Sequence, residues 1–212
     1  KATWGLMPSL SSLPTSTALL TSCHRDSAPD NSSPTIFLCL WKSEVNNYGE
    51  MNIEDFINDW NSTSPTIEVK TSGSTGLPKT ICVEKSRMMA SARNTCRFLH
   101  LREGDTALLC MPLDFIAGKM MVVRALTCGL KLINVPPSSH PLKNIDKAPD
   151  FAAMVPLQVY NSLSTTHETD ILKHIRHLII GGGAIDTSLE NKLKEFPHAV
   201  WSTYGMTETL SH

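Results

Sequence analysis

The sequence predicts an α/β fold, a mostly parallel sheet with helices on both faces. Three observations carry that prediction. From residue 66 onward, short runs rich in Leu, Ile and Val alternate with longer segments whose apolar residues recur at helical spacing, which is the pattern of β-α-β units. The short runs, such as 151–155 and 177–180, are close to continuously apolar, as strands covered on both faces must be. With 41% hydrophobic and 18% charged residues in 212, the chain can bury enough surface to fold without disulfides or metal.

The elements follow in order. Ser, Thr and Pro dominate residues 8–35, so the first fifty residues read as an irregular segment to which no role is assigned. A buried strand over 36–41 would tie it to the domain. Ile53, Phe56, Ile57 and Trp60 form one face of a short helix capped by Asn52, with Asp55 in its positive first turn. Residues 61–65 stop it. Ile67 and Val69 alternate inward in a strand over 66–70. A strand is predicted over 80–83, then a helix over 86–100 that turns Met88, Met89, Ala92, Cys96 and Leu99 inward. Strands over 107–111 and 130–135 flank a very apolar helix over 116–128. A strand over 151–155 precedes helical pieces over 157–163 and 170–176. The last units are a strand over 177–180, a helix over 187–196 opened by a capping box from Thr187 to Glu190, and a strand over 199–203.

Charge and cysteine usage exclude several classes. Nineteen Lys and Arg against twenty Asp and Glu leave a net charge of -1, so no basic field points to nucleic acid. The longest apolar runs, such as 36–41, are too short to span a membrane, and residues 8–35 lack the basic and unbroken apolar regions of a secretion signal. The six cysteines, four of them in apolar stretches, show no Cys-x-x-Cys spacing, which predicts packing thiols in a reducing cytoplasm. His167, His174 and His177 lack companions at metal-ligand spacing and are read as neighbours of helix ends. Six methionines from Met88 to Met154 read as core filling. The chain opens on Lys1 and stops at His212 in mid-motif, with no capping or loop signal after Leu210; it is expected to be the N-terminal part of something longer.

The segment most charged with chemistry is Thr71-Ser-Gly-Ser-Thr-Gly-Leu-Pro-Lys79. Its glycines let the backbone approach a ligand, and four hydroxyls and a lysine suit an anion such as phosphate. It is not a Walker A loop: only two residues separate Gly73 from Gly76, fewer than that motif requires, and strands flank it. Two further segments follow strands, where open parallel sheets bind ligands. Gly181-Gly-Gly-Ala-Ile185 could lay bare backbone against a flat ring or be a plain strand-to-helix turn. Tyr204-Gly-Met-Thr-Glu208 offers an aromatic face, a hydroxyl and a carboxylate, suited to a nucleotide with magnesium, or is a surface turn.

Together these segments resemble the adenylate-forming superfamily of acyl-CoA synthetases, adenylation domains and luciferases: its phosphate-binding signature at 71–79, its adenine-site glycines at 181–185 and its Tyr-Gly-x-Thr-Glu motif at 204–208. The resemblance runs from about residue 64 to 212, so that 51–212 reads as a partial AMP-binding domain. It implies that a carboxylate attacks the α-phosphate of ATP to give an acyl-adenylate, which a thiol, usually coenzyme A, then resolves. By the same resemblance Thr71, Ser72, Gly73, Ser74, Thr75, Gly76 and Lys79 would form the phosphate site, holding the β- and γ-phosphates. Thr207 would touch the α-phosphate, Glu208 would bind Mg²⁺, and Tyr204, Gly182, Gly183 and Ala184 would surround the adenine. The family's ribose-binding Asp, hinge and C-terminal lysine would lie beyond His212, so a chain of this extent is expected at most to hold nucleotide.

The segment from Met111 to Leu126 resembles the region many members write Pro-Leu-Phe-His-x-x-Gly, but Asp114 and Phe115 stand where Phe and His are usual. This pattern is most similar to the o-succinylbenzoate–CoA ligases of menaquinone synthesis. Such a substrate has two carboxylates, and Lys119 or Arg124 would meet the second; the alternative is that both snorkel from the edge of an apolar helix. Other readings left open are a different aryl or fatty acid, a phosphopantetheine carrier in place of coenzyme A, and a nucleotide-binding module without catalysis.

Overall fold

The computed structural model describes residues 4–6, 51–71, 79–203 and 210. In chain order its elements are β1 (Trp4–Leu6), α1 (Ile53–Asn61), β2 (Thr66–Lys70), β3 (Thr80–Glu84), α2 (Lys85–Phe98), β4 (Thr106–Leu109), α3 (Ile116–Cys128), β5 (Lys131–Asn134), β6 (Phe151–Met154), α4 (Pro156–Ser162), α5 (Thr166–His174), β7 (His177–Ile180), α6 (Thr187–Leu193) and β8 (Ala199–Ser202). Six strands pair in the order β1-β8-β7-β6-β4-β5, every pair parallel, while β2 and β3 form a separate antiparallel hairpin. The predicted α/β class is the observed one. The strand expected over 36–41 lies outside the described residues, and β1 adds an edge strand that the sequence does not predict.

Alternation along each strand sorts the core into two layers. Ala107, Leu109, Phe151, Ala153 and Ile179 join α1, α2, α3 and the β2–β3 hairpin on one face. Leu108, Cys110, Ala152, Met154, Leu178, Ile180 and Val200 join α4, α5 and α6 on the other. The chain changes direction at β4: α3 leads outward to β5, and β6 returns on β4's opposite side. Right-handed crossovers then require the helices before and after the reversal to lie on opposite faces, as they do.

The local signals mostly hold. Asn52 caps α1, its side chain accepting from Asp55 N at 2.8 Å, and Asp55 returns the bond to complete a capping box. α6 differs from its prediction: Asp186, not Thr187, is the cap, with its carboxylate accepting from Leu189 N at 2.8 Å. A carboxylate accepts better there than a hydroxyl and also meets the positive helix end. α5 begins a turn earlier than predicted because Thr165 caps it on Glu168 N. Of the three histidines read as meeting helix ends, only His174 sits in a last helical turn; His167 is in the first turn of α5 and His177 opens β7. Met88, Met120, Met121 and Met154 are buried core, whereas Met89 is half-buried. Cys96 and Cys110 are buried, Cys128 is half-buried, and Cys82 is exposed on the hairpin rather than packed.

Gly118, inside α3, lets that helix lie against the preceding turn. A Cβ there would stand 2.3 Å from the Pro112 carbonyl oxygen and 2.9 Å from that of Met111. Both are backbone atoms and cannot swing aside. Gly118→Ala, which raises helix propensity and would stabilise an unhindered helix, is therefore expected to destabilise this protein by about 2 kcal/mol. Urea unfolding followed by circular dichroism reads the sign directly.

Candidate functional site

The loop from Thr71 to Lys79 joins β2 to β3, and its two ends are pinched together. Thr71 N donates to the Lys79 carbonyl at 2.8 Å, and Lys79 N donates to Thr71 Oγ1 at 3.0 Å. Ser72, Gly73, Ser74, Thr75 and Gly76 lie outside the described residues, as do Tyr204, Thr207 and Glu208. The loop's base is nonetheless anchored in space. Lys70 N donates to the Asp114 carbonyl at 3.1 Å, Lys70 forms a parallel bridge with Phe115, and Lys70 Nζ lies 3.3 Å from Asp114 Oδ1. Asp114 and Phe115 follow β4, so these contacts seat the hairpin at the carboxyl edge of the sheet. Asp114 and Phe115 are the two residues that depart from the resembled motif. Their anchoring of Lys70 needed the hairpin's position and had no signal in sequence.

The same edge carries the glycine segment. Gly181 N donates to the Met154 carbonyl at 3.1 Å, and Thr203 N donates to that of Ile180 at 2.8 Å, which stitches the ends of β6, β7 and β8 together. Gly182 has a φ of +77°, a left-handed conformation that suits glycine. Gly182, Gly183 and Ala184 are exposed beyond β7. Positions that a Cβ would take at Gly182 and Gly183 lie 3.4 Å from Val155 Cγ1 and 3.5 Å from Pro156 Cγ, so the segment runs close to the start of α4.

Gln158, which sequence reasoning missed, holds the crevice where the chain reverses. Its amide donates to the Cys110 carbonyl at 3.1 Å and the Ser138 carbonyl at 2.9 Å, and its Oε1 accepts from Val155 N at 3.1 Å. One buried side chain thus satisfies polar groups after β4, β5 and β6 where the strands part. Beside it the Cys110 thiol pKa is pushed up to about 12 by burial.

Lys119 and Arg124 do not snorkel; both are fully buried on α3. They also face different neighbours. Lys119 Nζ contacts Met51 Sδ at 2.9 Å and lies 5.2 Å from the Phe56 ring centroid, toward α1. Burial lowers its pKa, with Asp114 and Asp59 partly opposing. Arg124 lies 5.9 Å from the Phe151 ring centroid, with the sulfurs of Cys96 and Cys128 close by, and burial lowers its pKa to about 10. Among the described residues no group of His, Cys, Asp and Glu could hold a metal ion. No helix among them is long and apolar enough to cross a membrane.

A parallel sheet that reverses at β4, with a pinched glycine-rich hairpin loop and a glycine segment at its carboxyl edge, defines an open α/β protein of the class that binds ligands at such a reversal. The chain belongs to the AMP-binding enzyme family, whose pattern matches residues 28–212. Among curated relatives, 2-succinylbenzoate–CoA ligase of Haemophilus influenzae is 27% identical over 83% of this chain and 38% of its own length. The enzyme of that name from Bacillus mycoides is 29% identical over 68% of this chain and 30% of its own. The chain thus spans about a third of the relatives it matches. Among solved structures, an acyl-CoA synthetase (AMP-forming)/AMP-acid ligase II-like protein from Dyadobacter fermentans superposes with TM-score 0.70 at 34% identity, over 74% of this chain and 45% of that one. MenE of Bacillus subtilis, in complex with ATP and magnesium ion, superposes with TM-score 0.56 at 25% identity, over 68% and 31%.

The stitch at Gly181 is testable. A Cβ on residue 181 would stand 2.6 Å from Thr203 Oγ1. Gly181→Ala is expected to cost about 1–3 kcal/mol through that overlap, and most of the cost should vanish in a Thr203→Ala background. A double-mutant cycle by thermal unfolding measures the coupling.

Proposed function

We propose that this chain is part of an adenylate-forming acid–CoA ligase whose acid is o-succinylbenzoate. The observation that carries the reading is the Thr71–Lys79 loop, closed at its base and seated by Lys70 and Asp114 at the carboxyl edge of the sheet. The names of the relatives point to the same acid. The free cysteines among the described residues accord with a reducing cytoplasm.

On this reading a carboxylate oxygen forms a bond to the α-phosphorus of ATP while the bond to the β-phosphate oxygen breaks, and pyrophosphate leaves. Coenzyme A sulfur then bonds to the acyl carbon and AMP departs. The difficulty is bringing two anions together and stabilising charge on the leaving group. Ser72, Gly73, Ser74, Thr75, Gly76 and Lys79 would hold the β- and γ-phosphates, with Thr71 closing the loop behind them. Thr207 would orient the α-phosphate. Tyr204 and the exposed backbone of Gly182, Gly183 and Ala184 would flank the adenine. Magnesium, held by Glu208, would supply charge neutralisation on the phosphates. Lys119 or Arg124 would face the acid's second carboxylate, where a dry setting strengthens the attraction. The Dyadobacter fermentans protein, whose description names no particular acid, supports a second reading with a different aryl or fatty acid.

Calorimetry with non-hydrolysable acyl-adenylate mimics tests this without turnover. The o-succinylbenzoyl mimic should bind at least tenfold tighter than benzoyl or fatty-acyl versions, and lose that advantage in Lys119→Ala or Arg124→Ala. Equal binding of all three would remove the substrate assignment and leave the nucleotide site standing. Lys79→Ala separates the phosphate role: it should weaken ATP by about tenfold or more and leave the mimic, which has no β- or γ-phosphate, nearly unchanged. Equal loss of both ligands would refute that role.

A further inference from the structure

α2 and α3 pack side by side on one face of the sheet, and each brings a cysteine to their contact. Cys128, the last residue of α3, places its Sγ 4.0 Å from the Ala92 carbonyl oxygen of α2. Residues 92 and 96 lie one turn apart on the same face of a helix, so a sulfur over Ala92 also meets Cys96. The two thiols are electrostatic neighbours across this contact. Both are free; Cys96 is buried and Cys128 is half-buried, within reach of a small solute.

Charge makes the two sulfurs unequal. Arg124 stands one turn before Cys128 on α3 and is close to both sulfurs, and Arg93 of α2 adds its charge at Cys128. The neighbouring Cys96 thiol lowers the pKa of Cys128, and these cations help. Cys96 is held above its ordinary value by the same contact and by burial. One thiol is thus half-buried and inclined to ionise while the other is sheltered beside it, the arrangement of an attacking and a resolving cysteine. The ligase chemistry proposed above uses neither.

We propose that Cys96 and Cys128 are a hydroperoxide-oxidisable pair that closes reversibly into a disulfide. The Cys128 thiolate attacks a peroxide oxygen; the O–O bond breaks, one oxygen leaves as water after taking up a proton, and Cys128 becomes a sulfenic acid. Cys96 sulfur then attacks Cys128 sulfur. The S–S bond forms, the S–O bond breaks, and the hydroxyl leaves as water with the proton from Cys96. In sum, two thiols and one hydrogen peroxide give a disulfide and two waters, and a small dithiol reverses the change. The bond would staple α3, which carries Arg124, to α2, whose Ser91 hydroxyl donates to the Leu210 carbonyl at 3.3 Å.

The test treats the reduced protein with a few-fold excess of hydrogen peroxide, blocks remaining thiols with N-ethylmaleimide in denaturant, and maps tryptic peptides by mass. The expected product is residues 94–97 joined to residues 125–131, two hydrogens lighter than the separate peptides, lost on dithiothreitol and unchanged in Cys82→Ser. In Cys96→Ser, dimedone should trap a sulfenic acid on Cys128, while in Cys128→Ser, Cys96 should remain a blockable thiol. Recovery of both peptides as maleimide adducts at a dose that oxidises exposed Cys82 would overturn the proposal. So would Cys128 joined to any other cysteine.

Discussion

Ala107 and Leu109 pack on one face of β4 while Leu108 and Cys110 pack on the other, and the same division continues through β6, β7 and β8. Nearly everything else in the molecule depends on this two-sided burial. A parallel strand with both faces covered cannot exchange its layers without exposing a full set of apolar side chains. Register and face are therefore held together, and the reversal of chain direction at β4 places α3 on one layer and α4 to α6 on the other. The crevice opened by that reversal is where backbone polar groups lose their ladder partners. Gln158 satisfies three of them at once.

The candidate nucleotide site is built outward from this sheet edge, not from a helix N-terminus. Its hairpin loop is closed by Thr71 and Lys79 and docked by Lys70 against the residues after β4. Two antiparallel strands hold the loop at both ends. Asp114 and Phe115, which depart from the resembled motif, belong to this docking. At the other side of the crevice Gly181 is required by the Thr203 hydroxyl and Gly182 by its left-handed backbone.

α3 concentrates an unusual load: a lysine and an arginine, both fully buried, on one apolar helix. Their neighbours soften the cost of burial in different ways, Lys119 with a thioether and an aromatic face, Arg124 with an aromatic face and two polarisable sulfurs. A buried cation is costly unless its surroundings or a ligand compensate. In the proposed reading these two residues are the candidates to meet an acidic substrate, and Arg124 also lies beside Cys96 and Cys128.

The sequence by itself determined the α/β class, most element positions and the Asn52 capping box, because each rests on contacts within a few residues: apolar periodicity and a cap three residues away. It also carried the family resemblance, since the motifs are contiguous. Only the tertiary structure decided which side chains those motifs meet. Asp114 against Lys70, Gln158 across three strand ends, Thr203 over Gly181 and Cys128 against α2 join residues tens of positions apart or on different strands. Burial of Lys119 and Arg124 was equally illegible, since a cation in an apolar helix reads the same whether its end reaches water or another helix covers it. Such pairings are set by how the layers close on the sheet, and one-dimensional spacing contains no record of that closure.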